Sequence, residues 1–336
     1  MNVAAAFPVR DSSEVSEPRR AAGWLADSIG FSETRAGLVS LVASELATNL
    51  AKHARDGELL LRAFDDGSGR AAGIEILSLD TGPGIADVDA SRRAGHSTTG
   101  TLGHGLTAIE RQSDFTDIYT LPTGTAMVSR IWREVPPARP AEPRIVVGAV
   151  NAAKPGEDIS GDGWAWRLRA QRMAMIVADG LGHGLHAHDA ALAALDTFAK
   201  EHEHTPARIV EDAHAALRGT RGAALAVLSL DFDYRTVRYC GLGNISGTIM
   251  QPTARQSLVS MNGTAGHTTH RLQEFQYGLP ANAIIVMHSD GLSTHWDLGP
   301  YPGIRERDPS IIAGVLYRDF SRRRDDVTVV VAKLRE

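Results

Sequence analysis

Four acidic points in the second half of the chain carry the strongest chemical signal: Asp162 in SGDGW, Asp179 in VADGLGHG, Asp290 in MHSDG, and the pair Asp325 and Asp326 in RRRDDVTVVV. Asp179 and Asp290 each follow an apolar run and precede a glycine, which puts a carboxylate at a strand end with backbone room beside it. Carboxylates gathered in one cleft repel one another unless cations lie between them, and hard divalent cations prefer oxygen ligands. The usual outcome is two bridged metals about 4 Å apart. Any single Asp-Gly at a strand end is equally a common turn, and that reading weakens only because the feature recurs in one region. His183 lies within DGLGHG, where it could contact such a site or a leaving group. His186 and His188, two residues apart near a helix start, point to different faces and read as surface residues rather than a zinc site. Arg322 to Arg324 reads as a solvated loop whose place beside Asp325 would also attract a phosphorylated protein. Cys240 reads as a small buried strand residue.

The first half holds a second constellation. At 100° per residue Leu38, Leu41, Val42, Leu46 and Leu50 form one apolar stripe, and Glu45 and Asn49 fall inside it. Burying a carboxylate and an amide costs several kcal/mol unless each finds hydrogen bonds or a cation. Their i, i+4 spacing aims both at one spot, which a bound metal would satisfy. The alternative is a slightly rotated helix with Glu45 exposed and Asn49 bonded to a loop. Asp80 ends a strand and is followed by TGPGI, so that Gly82 and Gly84 allow a tight loop against a carboxylate able to accept from an exocyclic amine. In STTGTLGHGLTAIERQ, Gly100, Gly103 and Gly105 precede a helix expected to begin near His104, and free amides at a helix start suit phosphate oxygens.

These residues need particular elements to hold them. GLVSLVASELATNLAKHA reads as a helix, ELLLRAF and GIEILSLD as strands, HGLTAIERQSDF as a helix, and TDIYTL and GTAMVSRIWR as strands. EVPPARPAEP, residues 134–143, has four prolines in ten residues and reads as a linker between domains over 1–133 and 144–336. Beyond it, RIVVGAVNA, RMAMIVAD, GAALAVLSLDF, TVRYCGLG, AIIVMHSD and DVTVVVAKL read as strands; HGLHAHDAALAALDTFAKEH and PARIVEDAHAALRG read as helices. The expected class is α+β in two domains.

The Glu45/Asn49 helix, the Asp80 loop and the glycine-rich helix start, in that order, resemble the N, G1 and G2 boxes of the GHKL ATPase superfamily, and STTGTLGHGLTAIERQSDFTDIYT with PTGTAMVS is most similar to the RsbT-type serine kinases of bacterial partner switching. The resemblance covers most of residues 30–133. It implies a Bergerat-type α/β sandwich binding ATP with Mg2+. Asn49 would sit on the magnesium, Asp80 on the adenine amine with Gly82 and Gly84 in its turn, Gly100, Gly103 and Gly105 at the phosphates, and Glu45 as base or water-orienting residue. Across residues 144–336 the order G-D, D-G-x-G-H-G, S-D-G, D-D-x-T resembles the SpoIIE branch of the type 2C protein phosphatases, with SGDGWAW and CGLGNISG nearest RsbX-like members. That implies a β-sandwich flanked by helices and a binuclear Mn2+ or Mg2+ centre. Asp179 and the Gly180 carbonyl would bridge the ions, and Asp162, Asp290 and Asp325 would complete the shell. Together the resemblances imply a partner-switching regulator that dephosphorylates serine or threonine on an STAS-domain antagonist protein. Its first domain would be a serine kinase or, alternatively, a non-catalytic binding module or an anti-sigma domain that sequesters a sigma factor, with only the phosphatase active.

Composition narrows the field. The chain has 336 residues, enough for about two domains, each with its own core. Lys plus Arg is 35 and Asp plus Glu 40, a net charge of −5, which excludes a broadly basic nucleic-acid binder. One cysteine rules out a disulfide scaffold and suits a reducing compartment. No apolar run approaches the roughly 18 residues of a membrane span, and the start lacks a secretory h-region, so a cytoplasmic protein without membrane or nucleic-acid partners is expected.

Overall fold

The computed structural model describes residues 4–94, 103–134, 144–251, 254–267 and 272–335. Gly100 and most of the proline-rich segment lie outside them. The first half runs β1 (Ala5–Val9), α1 (Ser16–Ser28), α2 (Glu33–His53), β2 (Gly57–Asp65), β3 (Ala71–Leu79), α3 (Val88–Ala94), α4 (Gly103–Gln112), β4 (Phe115–Leu121) and β5 (Gly124–Trp132). Its strands form one antiparallel sheet ordered β1-β2-β3-β5-β4. Helices α1, α2 and α4 cover one face through Ala22, Val42, Leu46, Leu50 and Ile109 against Leu59, Leu61, Ile74, Ile76 and Ile131.

The second half runs β6 (Ile145–Ala152), β7 (Asp162–Arg169), β8 (Arg172–Gly180), α5 (Leu185–Glu201), α6 (Pro206–Ala216), β9 (Ala223–Asp231), β10 (Thr236–Leu242), β11 (Ser246–Met250), β12 (Arg255–Leu258), β13 (Ser260–Met261), β14 (Phe275–Gly278), β15 (Ile284–His288), α7 (Pro309–Phe320) and β16 (Val327–Leu334). One sheet is ordered β13-β10-β9-β8-β7 with β14 on β10, the other β12-β11-β15-β16-β6. Their facing sides share Trp164, Met175, Leu228, Tyr239, Ile249, Ile285 and Val330, the core of a β-sandwich. Helices α5 and α6 pack on the outside of β8 and β9. The two-domain α+β expectation and the helix-flanked sandwich hold.

Helix α7 does something the sequence reading did not anticipate. Residues 309–317 are all buried, because one side lies on β6 and β16 and the other on β3 and β5 of the first half. Two glycines let it come this close: a Cβ on Gly148 would stand 2.1 Å from the Ser310 amide nitrogen, and one on Gly314 would stand 2.9 Å from the methyls of Leu77 and Leu79. At its start is a buried ionic network. Glu75 accepts from Arg62 Nε at 2.7 Å, Arg130 Nε at 2.6 Å and Ser310 Oγ at 2.8 Å. Arg130 in turn donates to both oxygens of Asp308, the N-cap of α7, at 2.9 and 2.6 Å. Burial alone would raise the Glu75 pKa; the two guanidiniums outweigh it and hold the carboxyl below its usual range.

Several expectations need correcting. Leu41 is 42% exposed and lies outside the stripe; the face of α2 that packs is Val39, Val42, Ala43, Leu46, Ala47 and Leu50. Helix α4 starts at Gly103, so Gly105 lies inside its first turn instead of preceding it. Strands β1, β7, β11, β12, β13 and β14 and helices α1, α3 and α7 were not read at all. β7 was readable, since Trp164, Trp166 and Leu168 alternate with Ala165, Arg167 and Arg169 at the strand period, whereas the apolar residues of α7 surround the helix instead of forming a stripe.

Candidate functional sites

Asp162 opens β7 and Asp179 stands near the end of β8, and the antiparallel register makes them direct cross-strand partners. Side chains so paired have Cβ atoms roughly 5 Å apart, and like charges there are destabilising. Asp162 is 1% exposed; its Oδ2 accepts from Ser289 Oγ at 2.6 Å, and its carbonyl from Asn151 Nδ2 at 3.1 Å. Burial, with the Asp326 and Asp290 charges, pushes Asp162 up to about 7. Burial and the charges of Asp162, Asp290, Asp325 and Asp326 push Asp179 to about 9. Asp290 follows β15, and burial and Asp325 raise it against the opposing pull of Arg322 and Asn244, whose Nδ2 donates to Oδ2 at 2.7 Å.

The final pair divides its labour. Asp326 is 3% exposed and spends both oxygens on backbone, Oδ1 on the Lys154 amide and Oδ2 on the Gly161 amide, each at 2.8 Å. Asp325 is exposed; one oxygen accepts from the Asp326 amide at 3.0 Å and the carboxylate acts on both Asp179 and Asp290. His183 pairs with Glu157 at 2.8 Å and is half-exposed at the rim, while His188, instead of lying free, bonds the Ser160 carbonyl at 2.8 Å through Nδ1.

The buried carboxylates of Asp162 and Asp179, with Asp290 and Asp325 beside them, form a hard-oxygen donor set that fits divalent ions. No three of them bring oxygens within 4.8 Å of one another; among the described residues that spacing is met by Glu201, His204 and Asp212, on and between α5 and α6. A cluster that holds two ions spreads its ligands, so convergence on one point is not required. A cavity of about 250 Å³ lined by Asn244, Arg255, His288 and Thr294 adjoins Asp290 through Asn244. The larger cavity, about 610 Å³, opens by the β7–β8 turn at the opposite end of the sheet and has no part in the cluster.

In the first half, Glu45 and Asn49 are half-buried on α2, and Gly105 of α4 fits between them: a Cβ there would lie 3.0 Å from Asn49 Oδ1 and 3.5 Å from Glu45 Oε2. The two polar groups thus do aim at one spot. Asp80 Oδ1 accepts from the Gly82 amide at 2.7 Å and the Thr125 amide at 3.4 Å, and burial raises its pKa. Gly84 has φ +72° and passes so near the Leu121 carbonyl that a Cβ would stand 2.1 Å from its oxygen. Gly103 opens α4, and Gly100 lies outside the described residues.

The sequence reading missed Ser289, Asn244 and Arg318. Ser289 was readable, being adjacent to Asp290 in the same motif. Asn244 is 46 positions from Asp290, and no spacing rule connects them. Arg318 of α7 donates to the Asp80 carbonyl at 2.9 Å, a contact between the two halves that only the fold reveals.

Residues 169–335 match the family described as Stage II sporulation protein E, and residues 9–130 the histidine kinase-like ATPase domain. The phosphoserine phosphatase RsbX of Bacillus subtilis (strain 168) is 24% identical over 187 residues, covering 54% of this chain and 90% of RsbX. The serine/threonine-protein kinase RsbT of the same organism is 32% identical over 90 residues, 27% of this chain and 66% of RsbT. Among solved structures, RsbX in complex with magnesium aligns with a TM-score of 0.51 at 23% identity, covering 59% of this chain and 98% of that one, a likeness of fold.

Proposed function

From a chain that joins a histidine kinase-like ATPase domain to a SpoIIE-type phosphatase domain, we propose a partner-switching regulator that removes phosphate from serine or threonine of a partner protein. The observation that carries this is the buried cross-strand pair Asp162 and Asp179, with the charges of Asp290 and Asp325 near enough to act on Asp179. Bound there, Mn2+ or Mg2+ would supply a water acidic enough to attack phosphorus at neutral pH. Asp179, the Gly180 carbonyl, Asp162, Asp290 and Asp325 are the groups that would hold the ions. Ser289 fixes the Asp162 carboxylate and Asn244 that of Asp290. Asp326 ties the Lys154 and Gly161 amides together, which sets the loop before Asp162. His183, held by Glu157, stands at the rim as a candidate contact for the leaving group.

In the first domain the proposed ligand is ATP with Mg2+. Asn49 would face the metal, Glu45 would act as base or water-orienting residue, Asp80 would accept from the adenine amine, and Gly103 and Gly105 would pass the phosphates. The RsbT and RsbX likenesses support an STAS-domain antagonist as the partner, with serine phosphorylation written by one half and erased by the other. Phosphate adds nearly two negative charges, enough to break a protein interface. Incubation with a phosphorylated STAS protein is expected to release phosphate only with Mn2+ or Mg2+, and Asp179→Asn and Asp290→Asn should each lower the rate at least 100-fold. Full activity in both variants contradicts the assignment. Label transfer from ATP to the unphosphorylated protein, measured in the Asp179→Asn background and lost in Asn49→Ala, tests the kinase half.

A further inference from the structure

The aspartate cluster is edged by apolar side chains where a soluble surface would be polar. Seven large hydrophobic residues stand out as exposed among the described residues, and three of them, Ile159 at 37%, Leu181 at 43% and Leu185 at 59%, belong to the loops that carry the cluster. Leu181 is two residues after Asp179, Leu185 opens α5, and Ile159 lies three before Asp162.

The loops holding them are packed together. His188, one helical turn beyond Leu185, bonds the Ser160 carbonyl at 2.8 Å, and a Cβ on Gly161 would lie 2.7 Å from Ala187 Cβ and 3.6 Å from the Gly182 carbonyl oxygen. The Leu181 amide donates to the Gly222 carbonyl at 3.0 Å, which brings in Arg221; its Nη1 would lie 2.9 Å from a Cβ on Gly182. Arg221 is exposed, and no acceptor for its guanidinium is found among the described residues. The result is a strip of three apolar side chains and one open cation along one side of the cluster.

We infer that this strip docks the partner's phosphorylated segment, Ile159, Leu181 and Leu185 taking apolar side chains next to the phosphoserine and Arg221 taking the segment's negative charge. This rests on the phosphatase reading and deepens it by naming what the enzyme recognises around the phosphate. Continuity with the cluster favours that occupant: Leu181 stands two residues from Asp179, and its amide bonds the Gly222 carbonyl at 3.0 Å, which joins the neighbouring loop that carries Arg221. Charge complementarity favours it too, since a phosphorylated segment is anionic and Arg221, for whose guanidinium no acceptor is found among the described residues, offers a donor fork beside Leu181. Apolar groups that lose water only when a protein chain covers them contribute binding to a protein substrate and none to a small phosphoester.

The experiment measures steady-state kinetics with Mn2+ on two substrates, a phosphoserine STAS protein and p-nitrophenyl phosphate, using the full chain. In Leu181→Ser/Leu185→Ser, KM for the phosphoprotein should rise at least tenfold with kcat within twofold, and kcat/KM for p-nitrophenyl phosphate should stay within twofold. In Arg221→Ala, KM for the phosphoprotein should rise severalfold and lose most of its dependence on salt. An unchanged phosphoprotein KM in the double variant overturns the inference, as does an equal loss on both substrates, which would mean that the loop around Asp179 had been damaged. A wild-type dimer that the double variant dissolves, with KM unchanged, would assign the strip to a second copy of the chain and overturn it as well. Absence of Mn2+-dependent hydrolysis of p-nitrophenyl phosphate by the wild type would instead sink the phosphatase reading beneath it.

Discussion

At the scale of single residues, the acidic pair after Arg324 shows how neighbours of one type come to differ. Asp326 satisfies two backbone amides and is buried, whereas Asp325 spends one oxygen on an adjacent amide and stays exposed toward Asp179 and Asp290. Asp326→Ala should therefore destabilise the fold by about 2–4 kcal/mol, the cost of leaving two donors unpaired. Asp325→Asn should leave the urea midpoint nearly unchanged while phosphate release falls at least tenfold. Urea unfolding beside an activity assay distinguishes the two, and a reversed pattern would exchange their roles. Asn244→Ala removes the group that orients Asp290 and is expected to weaken Mn2+ binding about 10–100-fold. The aspartates were legible because each stands in its own short motif, and the convergence of Glu45 and Asn49 because i, i+4 spacing fixes it. Asn244 and Arg221 were not singled out, since their roles depend on which loops the two sheets bring together.

At the scale of elements, the helix that matters most is the one the sequence reading passed over. In α7 the apolar residues run all the way round, so periodicity finds no polar face to mark a helix; only burial between two sheets accounts for the pattern. Its close packing carries two predictions. Gly148→Ala would press a methyl against the first turn of α7 and should cost about 1–3 kcal/mol in urea unfolding. Glu75→Gln leaves Arg62 and Arg130 short of their buried counter-charge and should cost about 3–5 kcal/mol. The pH dependence has a definite sign. Because the folded pKa of Glu75 lies below its unfolded value near 4.5, its contribution is complete above that value and is lost as pH falls through the folded pKa. The wild type should thus lose more stability than Glu75→Gln as pH is lowered below about 4.5. Equal slopes would show that the network does not govern acid sensitivity.

At the scale of the molecule, the two domains are layers of one stack: helices, sheet, α7, two sheets, helices. A core shared through α7, with Glu75, Arg130 and Asp308 bonded across it, predicts that both halves unfold together in one transition. Two separate transitions would contradict this. Both domain types came from motif; the shared helix did not, since nothing local in PSIIAGVLYRDF says which sheet it will cover. Among the described residues no helix is long and apolar enough to cross a membrane.

The account stands on the claim that carboxylates distant in sequence are gathered to hold divalent ions. Calorimetric titration with Mn2+ at pH 7 tests it most directly, in a His204→Ala background that removes the Glu201, His204 and Asp212 trio as a competing site. Binding of about two ions per chain is predicted, with proton release because Asp162 and Asp179 are held toward their neutral forms, and both signals should weaken at least 100-fold in Asp179→Asn. The same stoichiometry, affinity and proton release in Asp179→Asn would contradict it.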